Sequence, residues 1–470
     1  MMKNRSILWA LTLLLALRLL AMIWVPLTDP TEARYAEIAR KMVETGNWIT
    51  PQFDYGVPFW AKPPLHTWLS AVGMAVFGFT PFAARLGILA SAIATLAILW
   101  LWARTVADRR TAAVAVLVTA SSGLFFVSTA FVQTDMVLTL GVTATMAGFY
   151  NGLEGRRRWG WLFFLGLAIG LLAKGPVAVV LSMTPITAWM FWRGNWKDLA
   201  RLPWPGGVAL CAVLVIPWYA AAETATPGFL RYFLIGEHIQ RFLEPGWTGD
   251  LYGSGREQPR GTIWLFWMAA MLPWTPLLPI LLWRLRKAGM PADRGLHLYL
   301  LLFALTPLVF FTLAANILLA YVLPGVPAAV LLAVMLWTQS SPGGAGWLKL
   351  GVAEVVVIFA GVTVASFLGA DRSFLPSEAR LIAEFHGPGR LAILVGRSFS
   401  AEFYTQGRIA RLQTPAELAA WLKPGDGVLV PKGQREAFLK YLGGSLEPVS
   451  EDQDYLLFVP GSLASPAAGS

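Results

Sequence analysis

The sequence predicts an all-α polytopic membrane protein with about eleven transmembrane helices and a small C-terminal α/β domain outside the membrane. Of 470 residues, 56% are hydrophobic and 14% are charged, whereas a soluble domain has about 25% charged residues. The mean hydropathy is +0.58, and many of the 22 Trp residues flank apolar segments, as in membrane aromatic belts. The apolar segments stop near residue 370, where the composition becomes that of a soluble domain.

The first apolar run follows Lys3 and Arg5 and resembles a signal sequence, but its length of about 20 residues favours a retained span. After the fifth segment, Lys174-Gly175-Pro176 predicts either a hairpin apex or a kink. The predicted spans lie near residues 7–26, 82–103, 111–130, 133–150, 159–173, 176–192, 206–222, 262–283, 296–314, 317–337 and 349–369.

Positive charge is concentrated in alternate loops. The net charge of +10 could indicate nucleic-acid binding, but this alternation is better explained by membrane topology, so no nucleic-acid partner is predicted. By the positive-inside rule the basic segments are cytoplasmic: Lys3/Arg5, Arg104 to Arg110, Arg156 to Arg158, Arg193 to Arg201, and Arg284 to Lys287. Residues 27–65 (the first loop), the Lys174 turn, residues 223–261 (the second loop) and the chain after 370 then lie at the outer face.

The C-terminal part predicts a soluble α/β domain over residues 371–460, separate from a transmembrane domain over 1–370. Residues 391–396 and 427–430 are typical of strands, and 414–422 and 433–443 are typical of helices. Residues 461–470 predict a disordered tail. The single cysteine, Cys211, lies in an apolar stretch and excludes a disulfide framework.

Two acids of the first loop, Asp29 and Glu32, allow two interpretations. As a helix start, Asp29 would be the N-cap, Pro30 the first helical residue and Glu32 the partner in a capping box, for a helix over 30–44. As a site, both acids follow a span end directly, with Arg34 one turn further on. A carboxylate beside basic groups provides a general base and an anion clamp.

Within the same predicted helix, Glu37 and Lys41 are spaced as an ordinary i,i+4 pair on a solvated face. Lys62 precedes two prolines and is surrounded by aromatic residues, so it is either an interfacial lysine whose charge reaches water or an anion ligand.

Lys174 interrupts an apolar stretch with no carboxylate nearby in sequence, which indicates an anionic ligand such as phosphate. Asp135, an acid at a span end, is predicted to pair with an arginine of the first loop.

Glu237, His238 and Arg241 of the second loop fall within one helical turn and favour contact with an anionic headgroup. The other histidines, His66, His297 and His386, are assigned no role. No metal-binding or nucleotide-binding motif is present. The sequence therefore predicts no required cofactor and does not indicate a divalent metal.

Several stretches resemble the lipid-carrier-dependent glycosyltransferases of the GT-C membrane fold. The resemblance is to the lipid A aminoarabinose transferase family in particular, and more distantly to the protein O-mannosyltransferases. The matching stretches follow one another from the first predicted span to the tenth. They are EARYAEIARKM at 32–42, GNWITPQFDYGVPFWAKPP at 46–64, FAARLG at 82–87, TDM at 134–136, AKGP at 173–176, EHIQRF at 237–242 and AYVLPGVP at 320–327.

The resemblance implies a sugar donor carried on a polyprenyl phosphate, such as undecaprenyl phosphate, and an acceptor at the outer leaflet, with membrane lipids as surroundings. It implies that a first-loop acid, Asp29 or Glu32, is catalytic. It implies that Lys62 and Lys174 bind the carrier phosphate. It also implies that Arg34, Arg241 and Tyr321 line the same cavity. The arguments from position and charge given above add Asp135, Glu237 and His238 to the predicted substrate site.

The chain departs from the family pattern at two places. The family has Pro-Asp-Glu before Arg-Tyr, and a gapless match puts Thr31 at the Asp, so either Asp29 or Glu32 is the catalytic candidate. The basic residue expected shortly before the Tyr-x-Leu-Pro motif is missing, and 316–319 reads Asn-Ile-Leu-Leu.

The functional prediction is an inverting transferase in the cytoplasmic membrane that moves a sugar to a glycolipid such as lipid A. A transferase acting on protein hydroxyl groups and a transporter of lipid-linked sugars are the alternatives. A transporter predicts charges near the bilayer midplane and symmetric broken helices, whereas these charges lie in loops.

Overall fold

The computed structural model describes residues 4–253, 256–288, 294–340, 346–370, 374–442 and 446–459. All eleven predicted membrane segments are helical. The α-helices of the described residues up to 370 are α1 Asn4–Trp24, α2 Thr31–Thr45, α3 Leu65–Phe77, α4 Pro81–Val106, α5 Arg109–Ala120, α6 Gly123–Ser128, α7 Thr134–Leu153, α8 Arg157–Lys174, α9 Pro176–Arg193, α10 Trp204–Ala225, α11 Phe229–Arg231, α12 Arg241–Leu243, α13 Thr262–Ala270, α14 Leu278–Ala288, α15 Arg294–Thr312, α16 Val326–Ser340 and α17 Gly346–Phe367.

Seven helices in the described ranges are long and apolar enough to cross a membrane. Helix α13 and the helical segment Thr275–Lys287, which are bent by 99° relative to each other, would together form an eighth span. The segment predicted at 111–130 is divided into α5 and α6, and those at 159–173 and 176–192 are the 18-residue helices α8 and α9. The chain is a multi-span, predominantly helical membrane protein, as predicted.

Helices α7 and α8 pack so closely that glycine is required at their contact. A Cβ added at Gly141 would lie 2.6 Å from the backbone nitrogen of Gly170, and one at Gly148 would lie 2.3 Å from that of Phe163. Small residues at such contacts allow two membrane helices to approach backbone to backbone. The packing places the start of α7 beside the end of α8, which is where the site is built.

We expect Gly148→Ala to destabilise the protein by about 1–3 kcal/mol, because the new methyl group overlaps backbone atoms that cannot move independently. Gly361→Ala is the matched control, since Gly361 also lies in a long apolar helix but has no atom within 4 Å of the added Cβ. Thermal unfolding in detergent measures both. Equal midpoints for the two variants would contradict the packing described for α7 and α8.

The chain from 374 to 459, called here the C-terminal region, contains a five-stranded sheet. The elements of this region are α18 Ala379–Glu384, β3 Leu391–Leu394, α19 Phe399–Tyr404, β4 Ala410–Leu412, α20 Pro415–Trp421, β5 Gly427–Pro431, α21 Arg435–Leu442, β6 Ser450–Glu451 and β7 Tyr455–Phe458. The strand order in the sheet is β4-β3-β5-β7-β6, with β4, β3 and β5 parallel and β7 antiparallel to both β5 and β6. A separate hairpin, β1 Gln52–Asp54 and β2 Val57–Pro58, lies in the first loop.

The two predicted strands and two predicted helices of this region are present as β3, β5, α20 and α21. Three further strands, β4, β6 and β7, were not predicted from the sequence. The predicted tail at 461–470 lies outside the described residues.

Candidate functional site

Most of the predicted site residues meet at one cavity. It has a volume of about 270 Å³ and lies between the two loops and the ends of α8, α9 and α15. Asp135 lies directly behind the cavity wall, where it contacts Lys174. Six of the ten predicted residues line the cavity: Lys62, Lys174, Glu237, His238, Arg241 and Tyr321.

Lys62 reaches the cavity from the segment between β2 and α3. Its Nζ lies 2.6 Å from Glu237 Oε2, on the other loop, and it also donates to the carbonyl of Ala61. Burial lowers the pKa of Lys62, although the charge of Glu237 opposes the shift. Burial disfavours ionised Glu237, but Lys62 and Arg241 outweigh it and hold its pKa below the usual range. The pair therefore joins the two loops as an ion pair.

Lys174 is the last residue of α8, and its Nζ lies 2.5 Å from Asp135 Oδ1 at the start of α7. The ammonium also lies 4.2 Å from the ring centroid of Tyr321, a cation–π distance. The prediction that Asp135 pairs with a first-loop arginine is therefore wrong. The α7–α8 contact brings a closer cation to it.

Arg241 is held by two acids. Its Nη1 lies 3.2 Å from Glu237 Oε2 and 3.1 Å from Asp250 Oδ2, while its buried Nε has no hydrogen-bond partner. Residues 232–240 before it form a π-helix, a rare conformation that is frequent at functional sites. That helix places Glu237 and His238 at the cavity together.

Both ring nitrogens of His238 face backbone carbonyls, Nδ1 at 2.7 Å from Phe233 O and Nε2 at 3.2 Å from Lys174 O. Burial lowers the pKa of His238. The ring lies between the second loop and the end of α8, and in its neutral form its one N–H donates to one of the two carbonyls.

The charges around the cavity are balanced: the three cations Lys62, Lys174 and Arg241 face the three acids Glu237, Asp135 and Asp250. Within the described ranges, no group of three His, Cys, Asp or Glu side chains is placed to hold a metal ion. The basic side chains are thus the groups in this cavity that could contact an anion.

Asp29 and Glu32 do not line the cavity. Glu32 is 1% exposed, and its oxygens accept from Arg85 Nε and Nη2, each at 2.8 Å, and from the backbone nitrogens of Val132 and Thr28. The catalytic role of either acid stays a prediction.

Asp29 is not the N-cap of the adjacent helix, contrary to the first interpretation. Helix α2 begins at Thr31, and its N-cap position, Pro30, has no side-chain capping bond. Instead, Asp29 accepts from the backbone nitrogens of Phe399 and Ser400, each at 3.0 Å. The acid therefore caps a helix of the C-terminal region.

Arg34 lies apart from the cavity and binds the second loop through Nη1, 2.7 Å from Tyr252 O. Tyr252 also joins the loops, because its hydroxyl donates to Pro58 O at 2.8 Å and accepts from Trp60 N at 2.9 Å. These hydrogen bonds of Tyr252 hold the first loop against the second.

Sequence reasoning missed four residues of this assembly: Arg85, Asp250, Tyr252 and Asn316. Arg85 could have been found as an arginine within a predicted span. Asn316, where the family has a basic residue, donates to the carbonyls of Arg241 and Glu244 at 2.7 and 2.8 Å. It organises the second loop and supplies no charge.

Comparison with known proteins agrees with this architecture. The model of the dolichyl-phosphate-mannose-protein mannosyltransferase family matches residues 6–233. The crystal structure of ArnT from Cupriavidus metallidurans bound to undecaprenyl phosphate superposes with a TM-score of 0.75 at 20% identity, covering 97% of this chain and 98% of that one. The chain has the GT-C fold.

Curated relatives of this GT-C chain include two undecaprenyl phosphate-alpha-4-amino-4-deoxy-L-arabinose arabinosyl transferases. The one from Edwardsiella ictaluri is 33% identical over 320 residues, 65% of this chain and 55% of the relative. The one from Erwinia tasmaniensis is 33% identical over 342 residues, 70% of this chain and 58% of the relative. The chain thus spans little more than half the length of these relatives, and the predicted resemblance is confirmed.

Proposed function

We propose that the chain is a glycosyltransferase. It moves a sugar from a polyprenyl phosphate, undecaprenyl phosphate in particular, to an acceptor that is a glycolipid such as lipid A. The observation that carries the proposal is the cavity where Lys62, Lys174 and Arg241 meet at the ends of membrane helices. The activity of the relatives from Edwardsiella and Erwinia supports the same donor.

The proposed reaction breaks the bond between the anomeric carbon and the phosphate oxygen. The bonding electrons stay with the phosphate, which gains negative charge as the acceptor oxygen bonds to the carbon from the opposite side. Fixed cations in a site that excludes water stabilise such a developing charge more strongly than water does. Lys174 is buried and Lys62 is largely buried, with 10% and 16% of their side chains exposed, which suits them to this role.

The acceptor must also lose a proton. Each lysine is paired with an acid, and a bound phosphate competes for the same ammonium groups. Once Lys62 turns to the phosphate, Glu237 loses the strongest of the cations that lower its pKa, becomes more basic and can accept the proton. Substrate binding would thereby create the base.

We expect Glu237→Gln to lower kcat about 100-fold, a typical loss for a general base, while polyprenyl phosphate binds at least as tightly because one negative charge is gone. Turnover and carrier binding are measured on protein in lipid nanodiscs, beside Asp135→Asn, Asp29→Asn and Glu32→Gln. Unchanged kcat in Glu237→Gln, with loss in a folded first-loop variant, would return the base to Asp29 or Glu32.

We place the protein in the cytoplasmic membrane, with its N-terminus cytoplasmic and the cavity and C-terminal region on the outer face. The loops that join helices at the end opposite the cavity carry the arginine clusters, for example Arg104 to Arg110 and Arg156 to Arg158. The positive-inside rule assigns that end to the cytoplasm.

The deciding experiment is lipid mass spectrometry on a strain lacking the gene and on the same strain complemented with the wild type or with Lys174→Gln. Build-up of one carrier-linked sugar with loss of one glycolipid form, reversed by the wild type alone, supports transfer to lipid. Build-up with unchanged glycolipids would indicate a protein or polysaccharide acceptor. No change in either pool would overturn the proposal.

A further inference from the structure

The most polar stretch of the first loop is buried. Glu37, Arg40 and Lys41 of α2 are each at most 1% exposed, so the predicted solvated pair of Glu37 and Lys41 is wrong. Arg40 bonds Glu37 at 2.7 Å. Lys41 Nζ lies 3.2 Å from Glu402 Oε2 in α19. The C-terminal region therefore covers this face of α2 and supplies part of its countercharge.

The hairpin of the first loop contacts the same region. Arg397 donates to Phe53 O at 2.9 Å, and its guanidinium lies 4.3 Å from the Phe53 ring centroid. Arg411 of β4 forms an ion pair with Asp54. The hairpin ends at Pro58, four residues before Lys62. The contacts that hold β1 and β2 in place therefore also determine where Lys62 enters the cavity.

Asp29 is the third contact and the most fully bonded. Both its oxygens accept backbone hydrogen bonds at the start of α19, Ser398 Oγ donates at 3.1 Å, and its own N–H donates to Pro376 O at 2.7 Å. Two residues earlier, Leu27 N donates to the Tyr404 hydroxyl at 2.9 Å. Hydrogen bonds to a charged acceptor are the stronger kind.

We propose that the C-terminal region is a docked part of the transferase that positions the first loop, and that Asp29 is the positioning residue at the centre of this docking. The proposal rests on the proposed function only for its effect on turnover. Undocking would release the hairpin and α2, and Lys62 would lose its defined place opposite Glu237.

The docking contact contains a second acid, Glu378, which meets Asp29 through the Ser398 hydroxyl. Ser400 Oγ also donates to Glu378. One Ser398 hydrogen cannot serve both carboxylates, so a protonated Glu378 that donates to Ser398 would leave the Ser398 hydrogen for Asp29. Burial, and then the charge of Asp29, raise the pKa of Glu378 to about 8. The titratable and charged groups around it are Asp29, Arg397, Lys432, Asp452, Asp454 and Tyr455.

Since docking raises the pKa of Glu378, at neutral pH the docked state binds a proton that the undocked state lacks. The stabilisation is fully present below the ordinary carboxyl pKa and is lost as the pH rises through about 8. Glu378→Gln, which keeps the neutral form, should make docking insensitive to this range.

The test compares Asp29→Ala with Asp108→Ala in the full-length protein in nanodiscs. Asp108 is a matched control because it also caps a helix, accepting from the backbone nitrogens of Arg110 and Thr111 at 2.7 and 3.0 Å, but lies between α4 and α5. Hydrogen exchange is followed at residues 52–58 and 398–404, together with kcat and KM for the donor.

We expect Asp29→Ala to raise exchange in both segments about tenfold and KM about tenfold, with kcat changed much less, and Asp108→Ala to change neither. Exchange in the wild type, corrected for its intrinsic pH dependence, should rise between about pH 5 and about pH 8 and level off above that. Unchanged exchange in Asp29→Ala would overturn the proposal, and lost kcat with unchanged exchange would make Asp29 catalytic. The exchange result stands even if the wild type shows no transfer.

Discussion

Lys174→Gln is expected to reduce turnover about 100- to 1000-fold, the usual loss when one buried stabilising donor is removed. The ammonium is buried between Asp135 and the Tyr321 ring, so water cannot take its place. Turnover is measured as release of polyprenyl phosphate from its sugar-linked form.

Two controls separate lost chemistry from lost structure. The double variant Asp135→Asn with Lys174→Gln removes the orphaned buried acid and should fold, yet remain inactive. Lys287→Gln also removes a lysine stacked on an aromatic ring, here 4.1 Å from the Trp283 ring centroid, but at the opposite end of the bundle. A folded double variant with activity within about threefold of the wild type would refute the phosphate role of Lys174.

Arg85→Met is expected to destabilise the protein by about 3–5 kcal/mol, because it leaves the buried carboxylate of Glu32 without its countercharge. The pair is 4% and 1% exposed at its side chains, and Arg85 also donates to the carbonyls of Val25 and Pro26 at the end of α1. Chemical unfolding in detergent measures the loss.

Removing both partners, as Arg85→Met with Glu32→Leu, should recover most of that stability, since apolar pairs often replace buried ion pairs without loss. Arg18→Met is the comparison, because Arg18 also lies in a membrane helix but bonds the carbonyl of Val127. Equal losses for Arg85→Met and Arg18→Met would show that no uncompensated charge is created. If the stable double variant is also inactive, Glu32 has a role beyond this pair.

The convergence of Lys62, Lys174, Glu237, Arg241 and Tyr321 could be predicted because each follows or precedes a membrane segment at the same side. Because successive spans run in opposite directions, such residues come together at one side of the bundle, and the family pattern identifies which of them form the site. The partner of each could not be predicted, since the choice of Asp135 for Lys174 depends on how closely α7 and α8 pack.

The role of Asp29 could not be read from its surroundings in sequence. Together with Pro30 and Glu32, Asp29 has all the sequence features of a helix N-cap. Its actual partner, Phe399, lies 370 positions later. Glu37 and Lys41 were misread for a related reason. A polar helix face usually indicates solvent, whereas here the covering surface is itself charged.

Three cations are balanced by three acids around the cavity. When the donor binds, its phosphate therefore has to replace acids as the partner of the cations. A site with balanced charge and little net field does not concentrate small anions around it, so free phosphate gains little by entering. Binding must instead be driven by the apolar carrier chain, with the ammonium groups changing partners afterwards. Affinity for the donor should accordingly depend only weakly on ionic strength, unlike that of a site built from unpaired lysines.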